Sequence, residues 1–167
     1  MRTLLAVLSI STLAFAQAIP SLDAVEALAL RDQYGTEDML RAHRGRVVVV
    51  MVVDAKRLRT LKAWERDLRD RFEDLDYLRI AQVPAESRAT PERVASKLLD
   101  QVPDGVSVLI DMESRWGTEL RLDTSRPNLI IVDGSGRVRA TYAGRHEPGL
   151  AAVVISDLEK LVAGREG

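Results

Sequence analysis

Arg57-Leu58-Arg59-Thr60 follows an apolar run, Val47 to Val53, and a single Asp54. An apolar run of this kind, feeding a helix, presents whatever begins that helix at the end of a central strand. Here it would present two guanidinium groups and a hydroxyl. Helix N-terminal N–H groups attract anions, and arginines beside them would add to that pull. Basic residues in that place also oppose the helix macrodipole and need a local partner; Asp54 is the obvious one. The competing reading of Arg57, Arg59 and Thr60 is a solvated first turn.

Arg126-Pro127, before the apolar Leu129 to Val132, is a second candidate, with an ordinary edge proline as its alternative. Asp111, Glu113 and Asp123 lie near an expected strand end. Paired carboxylates do acid–base work when their surroundings separate their pKa values, but nothing in the spacing makes these three meet, and turn capping is the preferred reading. His43 and His146 are the only histidines and lack the spacing of a metal site, so no metal is expected. His43, in a basic stretch, is expected to be exposed; His146 should lead into a helix at Pro148. Asp133-Gly134-Ser135-Gly136 lacks the later ligands of a calcium loop and reads as a hairpin turn. No nucleophile-elbow, P-loop or dinucleotide fingerprint occurs. No cysteine occurs either, which excludes disulfides, thiol nucleophiles, thiolate metal sites and iron–sulfur clusters. No cofactor is expected.

Something must position these groups. The chain has 167 residues, 46% apolar and 29% charged, enough for one domain with a real core. A net charge of −1 and only 4% aromatic residues give neither a field nor a stacking platform for nucleic acid. Residues 1–16 read as a signal peptide: Arg2, an apolar stretch Leu4 to Ala14, and cleavage after Ala16 or Ala18. The stretch is shorter than the roughly 20 residues a membrane span needs. The expected product, residues 17–167, is a single domain that is periplasmic or secreted and not inserted in a membrane.

Val47 to Val53 predicts a strand covered on both faces. Leu58, Leu61, Trp64, Leu68, Phe72 and Leu75 then form one helical stripe, with i,i+4 pairs Glu65–Arg69, Arg66–Asp70 and Asp67–Arg71 opposite. Tyr77 to Val83 is a second strand. Thr90-Pro91 opens a short helix carried by Val94, Leu98 and Leu99. Val106 to Ile110 and Leu129 to Val132 are further strands, and Arg137 to Tyr142 returns from the hairpin. Upstream, Asp32 to Gly35 is a turn and Thr36 caps a short helix. Trp64 and Trp116 are expected in the core.

In this order the features resemble a thioredoxin-like domain of the redoxin/TlpA type. The residues that carry the resemblance are Leu30, Asp32 and Gly35; Gly45 to Val50 with Trp64; Val108 to Asp111 with Trp116-Gly117; and Arg126 to Val138 with Ala143-Gly144. A weaker similarity is to the cysteine-free YtfJ-type periplasmic proteins. The resemblance implies a three-layer α/β/α sandwich with a mixed central sheet and a C-terminal β-hairpin plus helix, its core at about 29–163. It implies that Arg57 to Thr60 stand where such proteins carry C-x-x-C, so dithiol oxidoreductase or peroxidase activity is not expected. It also implies a cis Arg126-Pro127 bond whose backbone offers groups to an extended ligand. The expectation is a non-redox binding or accessory module for an envelope protein or peptide. The rivals are a thiol-independent enzyme or small-thiol or anion binder, and a structural subunit of an envelope complex.

Overall fold

The computed structural model describes residues 21–164; the expected signal peptide lies outside them. Four strands build the centre. Strand β3 (Val48–Asp54) is buried along its length until Asp54 and runs parallel to β4 (Asp76–Gln82), in register from Val48 opposite Asp76 to Asp54 opposite Gln82. Strand β5 (Leu109–Asp111) extends the parallel set beyond β4, and β6 (Asn128–Val132) lies antiparallel on the other side of β3. β-Branched residues with no polar alternation suit such a doubly covered centre.

The expected hairpin forms, with β7 (Val138–Ala143) antiparallel to β6 and a register irregularity at Ile131/Val132. Two strands were not expected. Strands β1 (Leu30–Asp32) and β2 (Glu37–Asp38) complete a mixed sheet of order β2-β1-β5-β4-β3-β6-β7. They replace the helix predicted after Thr36. The Asp32 carboxylate accepts from the amides of Tyr34 and Thr36 and from the Ser107 hydroxyl, and this closes a hairpin turn in place of a helix cap. Gly35, at φ 83°, supplies the left-handed turn residue.

Alternate residues of β3 face two cores. Val49, Met51 and Val53 meet α1 (Lys62–Arg71), α2 (Pro91–Gln101) and α4 (Pro148–Ala163) through Trp64, Leu68, Leu98, Val154 and Leu158. Val48, Val50 and Val52 meet Trp116 of the short α3 (Arg115–Glu119), with Leu22, Val25 and Leu40 from the N-terminal segment. Both tryptophans are in the core as expected, at 0% and 1% exposure. Thr90 caps α2, accepting from the Arg93 amide at 3.4 Å, with Pro91 in the first turn. Val94 and Leu98 form the buried stripe of that helix, and Leu99 is 47% exposed. No helix among the described residues is long and apolar enough to cross a membrane.

His43 also departs from expectation. It lies in a 3-10 helix, Leu40–His43, and bridges Asp76 at 2.7 Å and Asp38 at 3.1 Å, while Arg46 holds the other oxygen of Asp76 at 2.6 Å. Burial opposes charging the ring, but the two carboxylates outweigh it, so the His43 pKa is raised above 6.5. A raised folded-state pKa stabilises fully below the unfolded value, and that stabilisation is lost as pH rises through the folded value. The melting temperature should therefore fall as pH rises above about 6.5. His43→Gln should flatten that part of the pH profile, and an unchanged slope in the variant would remove His43 as its source.

Candidate functional site

The parallel strands end together. Register places Asp54, Gln82 and Asp111 side by side at the C-terminal ends of β3, β4 and β5. Each is already engaged. Asp54 Oδ1 accepts from the Lys56 amide at 2.8 Å, and its own amide donates to the Thr124 carbonyl at 2.9 Å. Asp111, 1% exposed, accepts from the amides of Arg115 and Trp116 at 3.1 and 2.8 Å. Gln82 Nε2 donates to Thr124 Oγ1 at 3.2 Å. Glu113 is exposed, and Asp123 accepts from Ser125 and pairs with Arg126. Asp111 and Asp123 thus cap and brace turns, as their spacing suggested, and no carboxylate dyad is assembled.

Beyond Asp54 the chain enters a 3-10 helix, Ala55–Leu61, and the α-helix begins only at Lys62. Arg57, Arg59 and Thr60 therefore lie ahead of the α-helical N-terminus and not in its first turn. Leu58 is buried, Arg57 and Arg59 point outward, and Thr60 Oγ1 donates to the Arg57 carbonyl at 2.7 Å. The expected pairing with Asp54 does not form, because that carboxylate is turned onto the Lys56 amide.

Arg126-Pro127 is trans; no cis peptide occurs among the described residues. The reversal that a cis bond would supply is made upstream instead. Asp123 Oδ1 accepts from the amide and the hydroxyl of Ser125, and the buried Asn128 Nδ2 donates to the carbonyls of Asp123 and Arg126 at 2.9 and 2.8 Å. The Pro127 carbonyl accepts from the Gly144 amide. The Arg126 carbonyl, expected to meet an extended ligand, thus already has an internal donor, as does that of Pro127.

The Asp54–Thr124 hydrogen bond anchors both segments to the same end of β3, yet they face different cavities. Arg59 lines a groove of about 700 Å³ between α1 and α2, over Leu58, Leu61 and Val108. Arg126 lines a cavity of about 830 Å³ with Arg121, Asp123 and the start of β6. Arg57 lines neither.

A third cavity, of about 460 Å³, was not foreseen. It opens beside Asp54 between the strand ends and α2, and carries Lys56, Arg88, Arg93 and Lys97. One signal for it was readable: Arg93 and Lys97 are like charges at i,i+4, a spacing that disfavours an isolated helix. Among the described residues, no group of His, Asp and Glu is arranged to hold a metal ion.

Comparison by sequence finds no matching family model and no matching curated protein. Solved structures do match. The exposed lipoprotein thioredoxin Etrx1 of Streptococcus pneumoniae aligns with a TM-score of 0.63 at 13% identity, over 79% of this chain and 98% of the other. The bacterioferritin comigratory protein of Xanthomonas campestris, described for alkyl peroxide reduction, aligns with a TM-score of 0.63 at 16% identity, over 87% and 98%. Copper-bound yeast Sco1 aligns with a TM-score of 0.58 at 13% identity, over 81% and 93%. The fold is thioredoxin-like, and this chain carries it without a cysteine.

Proposed function

We propose that this protein is an exported, non-redox binding module that recognises a protein or peptide of the cell envelope at the end of β3. One observation carries the reading. Lys56, Arg57 and Arg59 project from a single turn at that end, and among the described residues none of their side chains has an acidic partner. Several arginines elsewhere are matched: Arg41 and Arg44 share Glu26, Arg71 holds Asp67, and Arg79 holds Glu65. Cations left unmatched at the strand end are available to a partner's carboxylates, where they would steer its approach and fix its register. The fold supports a recognition role, and the missing thiols remove the usual redox chemistry. The signal-like N-terminus supports export.

The test is capture from an envelope extract with the tagged protein, beside an Arg57→Ala/Arg59→Ala variant. A specific partner should be retained by the native protein and reduced at least about tenfold by the variant, as loss of charge-assisted contacts implies. A partner held equally by both would place recognition on another face and favour a structural subunit.

A further inference from the structure

We infer that the cavity beside Asp54 is a binding site for a small phosphate ester, an organic molecule with a dianionic phosphoryl group and an apolar body. The inference is independent of any protein partner.

The cavity draws its cations from three parts of the chain. Lys56 comes from the 3-10 helix after β3, Arg88 from the loop after β4, and Arg93 and Lys97 from successive turns of α2. Among the described residues none of the four side chains has a hydrogen-bond or ion-pair partner. The one carboxylate in the lining is Asp54, whose Oδ1 accepts from the Lys56 amide. Glu86 and Glu92 are close in sequence but do not line the cavity. Four cations around one concavity repel each other, and two of them repel within a single helix, where an acid at either position would have been stabilising. An anionic ligand turns that repulsion into attraction.

The shape of the charge set selects the anion. A planar carboxylate is satisfied by one guanidinium fork. Cations supplied by a turn, a loop and a helix around one cavity suit a group that spreads its charge over three oxygens. The walls select the rest of the ligand. Val83, Pro84, Val94 and Leu98 give an apolar side, and the volume falls in the range of small-molecule sites. A bare phosphate ion would leave that surface wet.

The test uses the purified protein at about 0.15 M salt, where the Debye length is about 8 Å, with binding followed by calorimetry. Phenyl phosphate, inorganic phosphate and benzoate serve as probes. Phenyl phosphate should bind saturably at one site. Inorganic phosphate, without the ring, and benzoate, with a single charge, should each bind at least about tenfold more weakly. Arg93→Gln/Lys97→Gln should weaken phenyl phosphate at least about tenfold. Lys62→Gln/Arg66→Gln, on the neighbouring groove, should change it by less than about twofold because exposed charges at a distance are screened. These positions are exposed on their helices, and matching far-ultraviolet circular dichroism would establish that the variants fold. Absence of saturable binding would overturn the site. So would equal weakening by both double variants, which would mark a general attraction to positive charge. Benzoate binding as tightly as phenyl phosphate would overturn the phosphoryl assignment, and inorganic phosphate doing so would overturn the apolar contribution.

Discussion

Glu65→Ala should destabilise the protein by about 3–5 kcal/mol, while Glu65→Leu combined with Arg79→Met should leave stability near that of the native chain or raise it. Arg79 sits in the middle of β4 opposite Met51, and its side chain is 9% exposed. Burial pulls its guanidinium pKa down to about 10. Glu65 takes two of its donors, Nε at 2.8 Å and Nη2, and the Ser107 carbonyl takes Nη1 at 3.2 Å. Removing Glu65 strands a charge that has only one carbonyl left. Removing both groups and restoring volume also removes the desolvation penalty. Urea denaturation of the single and double variants decides the matter. A loss below about 1 kcal/mol for Glu65→Ala would mean that water from the adjoining groove already solvates Arg79.

Trp64→Ala should cost a similar amount, about 3–5 kcal/mol. The ring has no exposed surface and stands between the sheet and the chain after β7. Its Nε1 donates to the Gly144 carbonyl at 3.1 Å, and His146 meets it edge-on at 4.9 Å while holding Asp67 at 2.9 Å. Trp64→Phe separates the contributions. It keeps much of the packing but leaves the Gly144 carbonyl without that donor, at about 1–3 kcal/mol. Chemical denaturation of the two variants should therefore give a graded series. Equal losses would show that the hydrogen bond, and not the bulk, fixes the chain after β7.

The sequence made the centre of the fold legible and its margins much less so. Val48–Asp54 was plain because β-branching and burial agree along its whole length, and α2 because its cap and proline are local signals. Strands β1 and β2 were hidden. They have three and two residues, too few for any period, and their turn is held by Ser107 from 75 positions away. His43 was misread for the same reason, since Asp76 is 33 residues distant. The 3-10 helix had left a trace: Leu58, Leu61 and Trp64 recur at the three-residue spacing of that helix, and the four-residue step to Leu68 marks the change to α. The candidate site was legible as a set of cations but not as a place. Chain position put Arg57 and Arg59 at the end of β3, but only the backbone path sets Arg59 and Arg126 on different cavities and brings Arg88, from another loop, to the cavity that Lys56 lines.

The sheet ends differently on its two sides, and this bears on how the molecule behaves when crowded. An open strand edge is a template on which a second copy can polymerise. On one side β2 offers only two residues, and Glu37 there is tied to Arg31 of β1. On the other, β7 projects Arg139 and Thr141 outward, beside the irregularity that twists its pairing with β6. Neither edge combines length, flatness and apolar character. A chain with no disulfide to lock it folded is thus guarded against fibrous self-association by the brevity of one border and the charge of the other.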